Sequence, residues 1–175
     1  LESPTVADAG DDQQICGGST VLDANTPTIG TGEWSIVLGT GGLIDSPTDP
    51  VSAFSGTTNT TYVLRWTITN GICVSTDDVQ IQLKTIPDVA ASNEEICSGE
   101  SINIPITNPN GVAGTTFSWF VQSSNNVTGA SGGAGTAISQ VLTSTDGVTQ
   151  GTVTYRITPE AVGCVGTPID VVVTV

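Results

Sequence analysis

Four cysteines, Cys16, Cys73, Cys97 and Cys164, carry the most distinctive chemistry in this chain, and no histidine accompanies them. Without histidine, Ser-His-Asp and Cys-His catalytic arrangements and every His-ligated metal site are excluded. The cysteines show no C-x-x-C metal spacing, so disulfide formation in an oxidising compartment is the chemistry they suit. Two lie in similar hexapeptides, ICGGST at 15–20 and ICSGES at 96–101, and each is followed by another cysteine near the end of its half. A duplicated cysteine frame marks a tandem repeat. It predicts two modules, 1–84 and 85–175, each closed by its own bridge, Cys16–Cys73 and Cys97–Cys164. Reduced thiols and pairing across the two halves are the alternatives. A crosslink over a loop of ~60 residues contributes about 4 kcal/mol on the chain-entropy model, a large share of so small a domain's stability.

The carboxylates come next. Seventeen acidic residues face three basic ones (Arg65, Lys84 and Arg156), for a formal net charge of −14. Phosphate binding needs clustered Lys and Arg, so nucleic acid is excluded as a partner. Asp8, Asp11 and Asp12 precede the first strand of module one, and Asp77 and Asp78 open its last. First and last strands of a sandwich commonly lie close together. If these five converge, calcium is the cation they would hold, since it takes six to eight hard oxygens. The competing reading is that they cap turns and stay solvated. Adjacent carboxylates such as Glu94 and Glu95 give no reason to expect the raised pKa a glycosidase acid needs, and the chain reads as no enzyme. An intramolecular Lys–Asn isopeptide bond needs a core lysine, whereas Lys84 falls in the linker.

Strands must position these groups. Tyr62, Leu64, Trp66 and Ile68 alternate with polar residues, and so do Val79, Ile81 and Leu83 after an Asn70-Gly71 turn. Phe117 and Trp119, then Val153, Tyr155 and Ile157, repeat the scheme. Period-two alternation without a 3.6-residue period predicts an all-β chain. Short strands between Gly, Pro and Asn turns predict two Greek-key β-sandwiches. The short linker 84–87, stiffened by Pro87, predicts an extended rod. Trp34, Trp66 and Trp119 fall on the apolar phase and belong to the cores. Phe120 is out of phase. It and the amide-rich stretch 123–136, with Asn125 and Asn126, are the candidate binding surface for a glycan or protein ligand; the stretch itself is expected to be an exposed loop.

The start ADAGDDQ at 7–13, Trp34 in GEWS and the run TYVLRWTITNGIC ending at Cys73 resemble the PKD-like, immunoglobulin-like repeats of large Bacteroidota surface proteins. The second half, with ICSGES, TTFSW and GTVTYRIT before Cys164, is similar to a sister PKD-like class. PKD domains proper carry W-x-F-G-D-G, whereas here Trp34 is followed by Ser35, Ile36 and Val37, so nothing known of that segment carries over. The resemblance implies non-catalytic stalk or spacer repeats of a secreted or surface-anchored adhesin, linked to gliding or surface attachment. Neighbouring repeats of the same long chain would then be partners. No run of 18 apolar residues and no signal-peptide pattern occurs, so no membrane insertion is expected, and both ends read as cut from a longer chain.

Overall fold

A computed structural model describes residues 2–175. The described residues form strands and no helix, and the chain divides into two compact units, Leu1–Thr85 and Ile86–Val175.

In unit one, β1 (Gln13–Cys16), β7 (Cys73–Lys84), β6 (Thr60–Asn70) and β3 (Thr31–Leu38) form one sheet in that spatial order. The facing sheet contains β2 (Ser19–Val21), β5 (Ala53–Ser55) and β4 (Leu43–Ile44). The alternation in β6 aims Tyr62, Leu64, Trp66 and Ile68 inward, all fully buried, against Phe54 and Leu22 of the opposite layer. Trp34 and Trp66 are directly paired across β3 and β6, with ring centroids 5.1 Å apart. Of the apolar positions in β3 only Trp34 is buried. Ile36, Val37 and Leu38 are exposed, and the register with β6 shifts between Ile36 and Leu38.

The long hairpin closes with Asn70 opposite Cys73. The two turn residues are therefore Gly71 and Ile72, and Gly71 has φ +65°. Glycine at the first central position is what a type II′ hairpin requires.

In unit two, β12 (Gly133–Ala134), β10 (Thr116–Asn125), β15 (Thr152–Ala161), β17 (Ile169–Thr174) and β8 (Glu94–Glu95) lie side by side, with β16 (Cys164–Val165) on the end of β15. The pairs β9 (Ser101–Pro105) with β13 (Ala137–Val141), and β11 (Val127–Thr128) with β14 (Thr143–Ser144), complete it. Ile102, Ile104, Ile138, Val153, Tyr155 and Ile157 form the dry centre of its core. Stretch 123–136 is largely exposed, as its composition suggests, but it is not one loop. After a register shift between Val121 and Ser123, β10 continues in pairing with β15 as far as Asn125, and β11 and β12 follow. Backbone hydrogen bonding here overrides a Ser/Asn/Gly composition.

One topological feature recurs in both units: the first strand runs parallel to the last. Gln13 to Cys16 lie beside Ile81 to Lys84 in β7, and Glu94 and Glu95 beside Val173 and Thr174 in β17. Each unit is therefore entered at one end and left at the other.

Candidate functional site

Parallel pairing decides the cysteines. Cys16 sits beside Lys84 at the exit end of β7, while Cys73 begins that twelve-residue strand at the entry end. At ~3.3 Å per residue they are separated by about 36 Å of strand, and a disulfide needs Cα atoms within about 7 Å. In unit two, Cys97 follows β8, whose Glu95 pairs with Thr174, and Thr174 pairs with Thr152 at the start of β15. Cys164 pairs with Ala161 at the far end of that ten-residue strand, about 30 Å away. The expected bridges Cys16–Cys73 and Cys97–Cys164 therefore do not form. Cys16 and Cys164 are disulfide-bonded, whereas Cys73 and Cys97 are free thiols.

The five aspartates do not converge either, and among the described residues no group of three or more His, Cys, Asp or Glu is placed to hold a metal ion. Two of them, Asp12 and Asp77, stitch the entry segment along β7 instead. Asp77 Oδ2 accepts from the Ala9 N–H at 2.8 Å, and Asp12 Oδ1 accepts from the Gln80 N–H at 2.8 Å. Asp8 Oδ1 accepts from the Gly10 N–H. Asp11 is exposed. Asp78 belongs to Arg65, which donates from Nε at 2.7 Å and from Nη2 at 2.8 Å. That pair of hydrogen bonds holds the Asp78 carboxyl below its ordinary range. The turn-and-anchor role of short acidic side chains prevails over the cation site here: Asp8, Asp12 and Asp77 accept from backbone amides and Asp78 from the Arg65 guanidinium.

The same ion pair occurs twice, once in each unit. Arg156 donates from Nε and Nη2 to Asp170, both at 2.8 Å, across β15 and β17 as Arg65 does across β6 and β7. Matching Arg65 with Arg156 and pairing the two long strands would have exposed it. Asp146 was missed as well. Its Oδ1 accepts from the Val148 and Thr149 N–H groups at 2.9 Å and from Asn126 Nδ2, and these bonds hold its carboxyl well below the usual range.

Of the candidate binding residues, Phe120 is exposed in the middle of β10 and Asn125 is exposed at the end of that strand. Asn126 is a turn residue. It has φ +56°, donates from Nδ2 to the Thr149 carbonyl at 2.7 Å and pairs with Thr145 and Asp146. Its amide is therefore committed to the chain. Trp34, Trp66 and Trp119 are buried. In unit one, a pocket lined by Ser19, Leu43, Asp45, Ala53, Phe54 and Ser55 has a volume of about 130 Å³, well below the roughly 300–1,000 Å³ of small-molecule sites.

A family model described as PKD-like domain matches residues 94–175. No curated protein matches the chain. Among solved structures, extracellular domains 3–5 of Drosophila OTK align with 98% of this chain and 59% of theirs, at 13% identity and a TM-score of 0.54. The insect immune protein hemolin aligns over 97% of this chain at 12% identity and a TM-score of 0.49, and the chain spans 46% of hemolin. Fibronectin(III)-like modules of Clostridium thermocellum CbhA align over 97% of this chain and 94% of theirs, at 12% identity and a TM-score of 0.42. At such identities the likeness to OTK establishes fold alone. The fold is all-β and immunoglobulin-like, and its second half is PKD-like. Among the described residues no helix is long and apolar enough to cross a membrane.

Proposed function

We propose that this chain is a pair of non-catalytic spacer repeats in the stalk of a secreted or surface-anchored bacterial adhesin. The observation behind this reading is the parallel pairing of first and last strands, β1 with β7 and β8 with β17. A module entered at one end and left at the other adds its full length to a tandem array. One whose termini share an end would fold the array back on itself. The disulfide and the PKD-like match support an extracellular location. Small-angle scattering of the two-unit chain tests the reading: a maximum dimension near two module lengths is expected, and a compact particle one module long would overturn it.

A second reading rests on Phe120, which is 52% exposed on β10 opposite Arg156. An aromatic ring standing clear of the core suits a glycan or protein ligand. Screening the chain and its Phe120→Ala variant against glycans distinguishes the two readings. Binding lost in the variant supports a ligand module, and equal behaviour leaves the spacer.

A further inference from the structure

Cysteines of two structural kinds occur once in each unit. Cys16 ends the first strand of its unit and Cys97 closely follows that of its own, both at the exit end, whereas Cys73 and Cys164 follow the turn after a long strand, β6 or β15, and lie at the entry end. Neither kind can close on its complement within one unit. One of each kind, Cys16 and Cys164, is oxidised, and one of each, Cys73 and Cys97, is free. The repeat thus supplies its own comparison: the sites equivalent to the two free thiols are already disulfide-bonded.

Burial does not separate the two states: Cys164 is completely buried and Cys16 is exposed, while Cys73 is half-buried and Cys97 is exposed. Cys73 is flanked by Ile72 and Val74, 87% and 57% exposed. Ile72, in the turn next to Cys73, leaves a large aliphatic side chain uncovered at the entry end of unit one, whereas Val74 faces the other side of β7.

We propose that Cys73 and Cys97 are the open halves of a head-to-tail covalent link, in which the exit-end Cys97 of one molecule is joined to the entry-end Cys73 of a second copy of this chain. The occupant follows from chemistry: the partner must offer an exit-end thiol, and this chain carries one exposed at Cys97. The oxidant is a small-molecule disulfide. The Cys73 thiolate attacks it, expelling one small thiol and leaving a mixed disulfide. The Cys97 thiolate of the second copy then attacks Cys73 Sγ and expels the other small thiol. Two protein thiols lose two protons and two electrons, and one small disulfide becomes two thiols.

The test incubates the folded chain with oxidised glutathione at mildly alkaline pH and near-physiological salt, where repulsion between acidic copies is screened. Expected are a ladder of species on a non-reducing gel that reductant collapses, and a Cys73–Cys97 peptide found in the dimer band. Cys73→Ser and Cys97→Ser variants, shown to be folded by circular dichroism, should each stay monomeric, and their mixture should stop at a dimer. Symmetric Cys73–Cys73 or Cys97–Cys97 dimers would overturn the proposal. So would a Cys73–Cys97 link confined to the monomer band, or monomers carrying only glutathione.

Discussion

Cys16 pairs in parallel register with Lys84, at the opposite end of β7 from Cys73. That relationship governs how thiols can be used in this fold, because a strand's length stands between the two cysteines of each unit. It also threads each unit from end to end, the property a spacer needs.

Neither free thiol closes a loop, so neither should contribute as a native bridge does. Cys73→Ser and Cys97→Ser are expected to change stability by no more than about 0.5 kcal/mol in denaturant unfolding. A loss near the several kcal/mol typical of removing a native disulfide would mean that these cysteines are bridged in the folded chain.

Calcium should not stabilise unit one. Asp77, Asp12 and Asp78 already accept from Ala9, Gln80 and Arg65, so melting curves in calcium and in chelator are expected to coincide. A rise in midpoint that grows with calcium concentration, as linkage requires, would restore the acidic site.

Gly32 faces the Trp66 indole so closely that an added Cβ would overlap Cζ2 and Cη2 of the ring. Gly32→Ala should therefore destabilise unit one by about 1–3 kcal/mol through overpacking. Gly111 provides the contrast: it has φ +67° and open space around its Cβ direction. Gly111→Ala should cost only about 1 kcal/mol, from backbone strain. Denaturant unfolding of the two variants checks the difference.

Tyr155 donates its hydroxyl to Gln140 Oε1 at 2.7 Å, and burial pushes its pKa up to about 12. The folded value lies above the unfolded value near 10. The stability it contributes is therefore complete below pH 10 and is lost as pH rises from there towards 12. Phenolate absorbance should show one tyrosine ionising near pH 12, and Tyr155→Phe should flatten the alkaline decline of unit two.

Asp146 behaves in the opposite sense. The Val148 and Thr149 amides favour its charged form and hold its carboxyl well below the ordinary range. Its contribution is present above about pH 4 and fades as pH falls below that. In thermal melts between pH 2 and 7, Asp146→Asn should lower the midpoint at neutral pH and make the acid limb less steep.

Alternation alone sufficed for the strands, because side chains on a pleated chain change face at every residue. Tyr62, Leu64, Trp66 and Ile68 could hardly sit anywhere but inside. The duplicated ICGGST and ICSGES motifs likewise pointed to a division in two, and the chain does form two compact units. What local pattern cannot carry is the direction in which distant strands pair. Cys16 is equally apt as a partner for Cys73 whether β1 runs with β7 or against it. Only the parallel register places the two at opposite ends of the strand. The same holds for the aspartates and for the stretch 123–136: sequence identified the groups, but hydrogen-bond partners far along the chain determined whether Asp77 met a cation or the Ala9 amide, and whether Ser124 lay in a loop or opposite Val153 in a strand.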